Sequence, residues 1–339
     1  MDSAVRNFLV SFELGRVERH KNMAVFPLET SLDGGPEYVT LKEALEKSSF
    51  VITEVSEGGN VPNLKVSNKG KVPVLLLDGE ELAGAKQNRV LNTTILVQEG
   101  TEIVIPVSCT EQGRWSYAAR VFFESGHVMS PAMRSMNKAA VAASLESIRE
   151  FRGDQGTVWE NVHQMEAETG TKSSTGAMKD VFESKMEDLD TSLKAFVCGP
   201  QQKGILVIIG REVVGFDFVS RESAFAVLFP KLIKSYAMEA WIAGRKEKKA
   251  EGEAAGREEA AEESDAARAR EFLAAAAECG EKSYDSVGMG KDVRFDGPGI
   301  VGSALVVEDK LVHAAFFSAA ESQKVGNMAG PSRRRSFRT

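Results

Sequence analysis

Up to about residue 120, apolar positions come in short runs broken by turn-forming residues, the pattern of strands in a β-rich segment. Runs at 25–28, 50–55, 64–66, 72–77, 89–97 and 103–108 are predicted strands, with Gly- or Asn-containing turns such as Asn68-Lys69-Gly70 between them. Thr40-Leu41-Lys42-Glu43 has the Thr-x-x-Glu form of a capping box, so a short helix is expected from there to about Lys47. These strands suggest a sandwich or a strongly bent antiparallel sheet.

From about Ser130 the period changes to that of helices. Val141, Leu145, Ile148 and Arg152 share one face, and Met178, Phe182, Met186, Leu189 and Leu193 form a second stripe, with Ser173, Ser174 and Thr175 as candidate N-caps. Gln155-Gly156-Thr157-Val158-Trp159 reads as a turn entering another helix. Residues 205–209 and 213–218 form a predicted hairpin around Gly210-Arg211. Phe225, Leu228, Leu232, Tyr236 and Ala240 mark a further helix, in which Pro230 predicts a kink or a fresh start. The chain returns to strand at 293–295, 300–307 and 311–317.

The fold class expected is α+β: a β-rich portion over 1–125, then an α+β portion over 126–318 continuous with it in one domain. Residues 244–270, almost all Ala, Glu, Lys, Arg and Gly without an apolar stripe, read as an exposed, partly helical insertion. Residues 319–339, with Arg333-Arg334-Arg335 and Arg338, read as a disordered basic tail.

Composition narrows the class. With 42% hydrophobic and 27% charged residues, the chain has the profile of a globular protein. A net charge of −7 argues against general nucleic-acid binding, which needs a surplus of Lys and Arg. Cys109, Cys198 and Cys279 are widely spaced and form no zinc or disulfide pattern. Residues 1–15 lack the pattern of a secretion signal, and no apolar run approaches the roughly 20 residues that span a bilayer. A cytoplasmic protein without a membrane span is therefore expected.

The chemistry is concentrated at Asp78-Gly79-Glu80-Glu81-Leu82-Ala83-Gly84-Ala85-Lys86-Gln87-Asn88-Arg89, with Asn92 just beyond. It follows a run, 72–77, that is apolar except for Pro73 and so reads as a strand buried on both faces. Charges at the end of such a strand need partners, because isolated burial costs several kcal/mol. One reading is an internal salt-bridge network. The other is a polar ligand site, with Glu81 as general base or metal ligand, Lys86 and Arg89 on an anion, and Gln87, Asn88 and Asn92 orienting it. Strand alternation would put Lys86 and Asn88 on one face and Gln87 and Arg89 on the other, so one shared pocket requires a bend at Gly84.

A second cluster, Pro106-Val107-Ser108-Cys109-Thr110-Glu111-Gln112-Gly113-Arg114-Trp115, also follows an apolar strand. Cys109 has no local His partner, and Trp115 reads either as a stacking wall or as a core anchor. His127 has no spacing that demands a metal, although it could meet Glu111 in space. The common phosphate-loop, dinucleotide and nucleophile-elbow motifs are absent.

These two clusters, with Gln155 to Trp159 and Leu232-Ile233-Lys234-Ser235-Tyr236-Ala237-Met238-Glu239-Ala240, resemble the ADP-ribosylglycohydrolase- and rhodanese/phosphatase-associated protein domain family. The resemblance runs from roughly Phe26 to Phe317, and Gly84-Ala85-Lys86-Gln87-Asn88-Arg89 is its most specific part. The family takes its name from genomic neighbours that process ADP-ribose or phosphate groups. The resemblance implies that Glu80, Glu81, Lys86, Gln87, Asn88, Arg89, Cys109, Glu111, Arg114 and Trp115 are motif residues.

The expectation is thus a domain that binds, and processes if it is an enzyme, a polar phosphorylated or nucleotide-derived ligand such as an ADP-ribose derivative. Lys86, Arg89 and Arg114 would meet the anion. Glu81 and Glu111 would be the acid/base or metal-ligating pair. The alternative is a non-catalytic scaffold whose polar residues form a structural network. No cofactor is identifiable.

Overall fold

The computed structural model describes residues 4–30, 35–250 and 258–319. The basic tail from residue 320 onward and residues 251–257 of the charged insertion lie outside the described residues. The α+β expectation holds, with three sheets and with helices concentrated in the middle of the chain.

The largest sheet is antiparallel and takes strands from both ends of the chain. Its order is Glu13–Leu14, Met23–Glu29, Gly204–Ile209, Glu212–Val219, Lys310–Ser318, Ile300–Val307, Lys291–Gly297 and Gly280–Asp285, and Glu18–His20 also pairs with Met23–Glu29. Both faces are covered, which explains strands that are apolar at every position. Ile205, Val207 and Ile209 pack with Phe225, Leu228, Leu232 and Tyr236 of the helix Glu222–Ala250. Leu206 and Ile208 turn the other way, toward Val5 and Phe8 of Ala4–Leu9 and Ala269, Phe272 and Leu273 of Glu258–Ala277. The pleat makes this alternation obligatory.

A six-stranded sheet runs in the order Phe122–Val128, Glu80–Gly84, Arg89–Leu91, Glu102–Cys109, Asn63–Asn68 and Phe50–Glu54. A three-stranded sheet, Ile95–Val97, Val74–Leu76 and Val39–Thr40, closes over it. Val74 and Leu76 enter the core between these two sheets, while Leu75 and Leu77 face the core under the large sheet. The double burial inferred for this strand is what the structure contains. The capping box is also present: Thr40 Oγ1 accepts from the Glu43 amide at 3.3 Å, and Glu43 Oε2 accepts from the Thr40 amide at 2.8 Å.

Several expectations are corrected. The run 89–97 is two strands, because Asn92, Thr93 and Thr94 bond to side chains and to loop backbone instead of a ladder. The helix bearing Val141 and Leu145 ends at Ile148, where Arg149 turns left-handed (φ 60°), so Arg152 lies beyond it. The Met178 stripe is split at Lys185 into Met178–Ser184 and Met186–Lys194. Ala177 is its N-cap, with Ser173 Oγ accepting the Ala177 amide from outside the helix. The helix Glu222–Ala250 continues through Pro230, so of the two alternatives the fresh start is overturned.

Candidate functional site

The dense stretch is almost wholly buried, and tracing its partners sorts it into closed networks and open ends. Asp78 sits on the turn leaving Val74–Leu76. Its carboxylate accepts from Arg134 Nη2 at 3.0 Å and Lys138 Nζ at 2.8 Å, with Thr94 Oγ1 at 3.2 Å. Arg134 spans to Asp217 on the large sheet at 2.7 and 2.9 Å, and Tyr236 donates to Asp217 at 2.9 Å. Burial would raise the Asp78 pKa, but Arg134, then Lys138 and His313, outweigh it and hold the carboxylate well below its ordinary range. Glu80 and Glu124 likewise share Lys231 of the long helix, Glu124 at 2.6 Å. These groups satisfy one another and read as structure.

Glu81 differs. Its Oε1 accepts from Thr110 at 2.8 Å, while its buried Oε2 has no hydrogen-bond partner. Burial pushes its pKa up to about 7, so the group titrates near neutrality.

At the end of Glu80–Gly84 the backbone turns. Gly84 adopts φ 125° and Ala85 φ 36°, and a Cβ on Gly84 would stand 2.6 Å from the Val121 carbonyl oxygen. The bend required for Lys86 to Arg89 to converge is therefore built into a position only glycine fills comfortably. Arg114 pins the turn: it donates to the carbonyls of Gly84 (3.3 Å) and Ala85 (2.7 Å), to Asn88 Oδ1 (3.2 Å) and to Glu111 (2.6 and 2.8 Å). Glu111 also accepts from the Asn88 amide at 3.1 Å and Thr175 Oγ1 at 2.9 Å. Against the upward pull of burial, these bonds hold the Glu111 carboxyl below its ordinary range. Both residues are fully engaged, so Arg114 and Glu111 act as a staple here.

Beneath the turn lies Arg89, 0% exposed. Its Nη1 donates to Gln87 Oε1 at 3.1 Å, but Nε and Nη2 have no acceptor. Glu54, 8% exposed, ends the strand Phe50–Glu54 with neither oxygen hydrogen-bonded and Oε1 in a long ion pair, 3.9 Å, with Arg89 Nη2. That separation exceeds hydrogen-bond reach. Cys109 pairs with Arg89 across the ladder, and burial raises its thiol to about 11, too high for a thiolate nucleophile at neutral pH.

Two loops cover this pair. The Trp115 ring lies over the Arg89 guanidinium (5.7 Å) and under Lys86 Nζ (5.3 Å), and Lys86 also meets the Tyr117 ring at 5.1 Å. From this side, Lys86 donates to the Gly58 carbonyl at 2.8 Å and Tyr117 to the Glu57 carbonyl at 3.2 Å. Trp115 is 47% exposed, so it is a wall of this cover and not a core anchor.

The structure thus gathers Lys86, Gln87, Arg89, Cys109 and Trp115. Asn92 is elsewhere: it bonds Ser108 Oγ at 2.8 Å and the Phe151 carbonyl at 3.1 Å. Glu54 escaped the sequence reading, although Phe50, Ile52 and Glu54 share one strand face and the period of two flagged it. Arg134 and Lys138, two turns before Val141 and Leu145 on the same face, carried the same kind of signal. A separate open cavity of about 660 Å³ is lined by Lys203, Ser220, Arg221, Glu222, Glu308 and Lys310, among others, residues the sequence did not single out. Among the described residues no group of three or more His, Cys, Asp or Glu could hold a metal, and no helix is long and apolar enough to cross a membrane.

No curated protein and no solved structure matches the chain. A family model described as the ARG and Rhodanese-Phosphatase-superfamily-associated Protein domain matches residues 11–317, which include every side chain of the covered site. The chain belongs to that family.

Proposed function

We propose that the chain binds a polar phosphorylated or nucleotide-derived small molecule, of the kind an ADP-ribose derivative represents, at the Arg89 guanidinium beside Trp115. The observation that carries the reading is the buried Arg89 guanidinium, whose Nε and Nη2 have no hydrogen-bond acceptor and whose ion pair with Glu54 is long, 3.9 Å. Nε and Nη2 form one edge of the guanidinium, the fork that matches a phosphate or carboxylate bidentately. A buried polar group without a partner is destabilising, and an anionic occupant removes that cost. Trp115, half exposed, borders the guanidinium, with Lys86 and Arg89 against its ring. Glu81 pairs with Val90 while Arg89 pairs with Leu82, so Glu81 lies on the opposite sheet face, and Glu111 is committed to its partners; the reading is therefore one of binding.

Thermal stabilisation with ADP-ribose, AMP and inorganic phosphate tests this reading. A ligand at about 100 times its Kd stabilises the native state by roughly 2.7 kcal/mol. The expected result is stabilisation that Arg89→Ala abolishes while the variant stays folded. Absence of any response in the parent protein removes the reading. A second reading, a non-catalytic scaffold, draws support from the closed Asp78–Arg134–Asp217 and Glu111–Arg114 networks. Loss of folding in Arg89→Ala, with no ligand response in the parent, favours it.

A further inference from the structure

The open cavity of about 660 Å³ takes no residue from either polar cluster. It lies where three neighbouring strands of the large sheet end. The Val219 amide donates to the Lys203 carbonyl at 2.9 Å, and the Ser220 amide to the Val312 carbonyl at 2.9 Å. These bonds hold the ends of Gly204–Ile209, Glu212–Val219 and Lys310–Ser318 side by side. Lys203, Arg221 and Lys310, cations from three separate segments, thereby share one cavity wall.

Arg221 there needs an acceptor. Its Nε is buried without a hydrogen-bond partner, and its Nη2 meets only Glu37, 76% exposed and 3.8 Å away, beyond hydrogen-bond reach. The three cations face two lining carboxylates, Glu222 and Glu308. This set decides the occupant. A ligand carboxylate brings one charge and two oxygens, too few for three cationic groups. A phosphomonoester brings close to two charges near neutral pH and three terminal oxygens, and an arginine fork holds it bidentately. The first turn of Glu222–Ala250 adds its opening amides to the same wall, although a helix start alone would not mark a site. Glu222 and Glu308 can accept from hydroxyls on the same molecule. The volume lies within the roughly 300–1,000 Å³ of small-molecule sites and leaves room for more than a bare phosphate.

We propose that this cavity is a second anion site, separate from Arg89, for the phosphomonoester of a hydroxylated small molecule, a sugar phosphate or a mononucleotide. The phosphate goes to Lys203, Arg221 and Lys310, and the hydroxyls face Glu222 and Glu308.

The test compares glucose 6-phosphate, AMP, glucose and inorganic phosphate by calorimetry on the full chain, while acylation of lysines read by mass spectrometry locates the binding. The expected result is that at least one ester binds at least tenfold tighter than inorganic phosphate and that glucose does not bind. That ester slows acylation of Lys310 and leaves Lys282, on the edge strand Gly280–Asp285, unchanged. Arg221→Gln removes the protection of Lys310, and Arg89→Ala keeps it. Lys310→Glu, on an exposed turn, removes the same binding event from calorimetry and decides the matter if Arg221→Gln does not fold. Glucose 6-phosphate binding alone names a sugar phosphate as the source and AMP alone a nucleotide; either result, or both, supports the site. Failure of both esters to protect Lys310 overturns the proposal, as does protection that persists in a folded Arg221→Gln. Ester binding that leaves Lys310 unprotected and disappears in Arg89→Ala supports the Arg89 site and overturns this one. Inorganic phosphate matching the esters would mean an adventitious ion only and also overturns it.

Discussion

Glu81 shows how burial turns a side chain into a measurable property. Its folded pKa, about 7, lies above the ordinary 4.5. The folded state therefore binds the proton more tightly than the unfolded chain. The resulting stabilisation is fully present below pH 4.5 and is lost as pH rises through 7. A displacement of this size corresponds to roughly 3 kcal/mol. Urea denaturation of Glu81→Gln should show a smaller fall in stability between pH 4.5 and 7.5 than the parent protein does. An unchanged slope would show that Glu81 is ionised in the fold. His127 acts in the opposite sense: burial, then Lys234 and Lys179, push it down to about 4, so its contribution is lost as pH falls through 6.5 toward 4. It is common to both proteins and cancels in the difference.

At the scale of elements, the site is a bend and two loops. Gly84 and Ala85 end one strand, Arg114 staples the turn, and Lys86 and Tyr117 tie it to the loop that follows Phe50–Glu54. These last two bonds are exposed and few, which places the cover at the low-stability end of the structure. Tyr117→Phe and Lys86→Met should each raise the rate of Cys109 labelling severalfold without changing the labelling of Cys279, which is buried in a different core. Equal acceleration at both cysteines would mean global unfolding and not local opening. Strand alternation alone would have set Lys86 and Arg89 on opposite faces. The glycine at the bend is visible in the sequence, but the convergence on Trp115 depends on a loop arriving from another strand.

Across the whole molecule, the Asp78–Arg134–Asp217 bridge joins the turn beneath the site to the nine-stranded sheet, with Lys138, Tyr236 and Thr94 completing it. Removing one member leaves buried carboxylates unopposed. Arg134→Ala should therefore cost about 3–5 kcal/mol in chemical denaturation. A cost below about 1 kcal/mol would mean that water reaches the bridge.

Local pattern alone determined much of this protein. The α+β class, the capping box at Thr40, the hairpin around Gly210 and the doubly buried strand before Asp78 all follow from interactions within a few residues. Those interactions have fixed periods that a sequence displays directly. Partnership was decided only by the tertiary structure. Asp78 finds Arg134 and Asp217, Glu80 finds Lys231, and Arg89 stands before Glu54 across separations no local rule spans. A charge carries no mark of which opposite charge will reach it. Only packing of the sheets brings such charges together, and it holds Arg89 and Glu54 as an ion pair 3.9 Å apart.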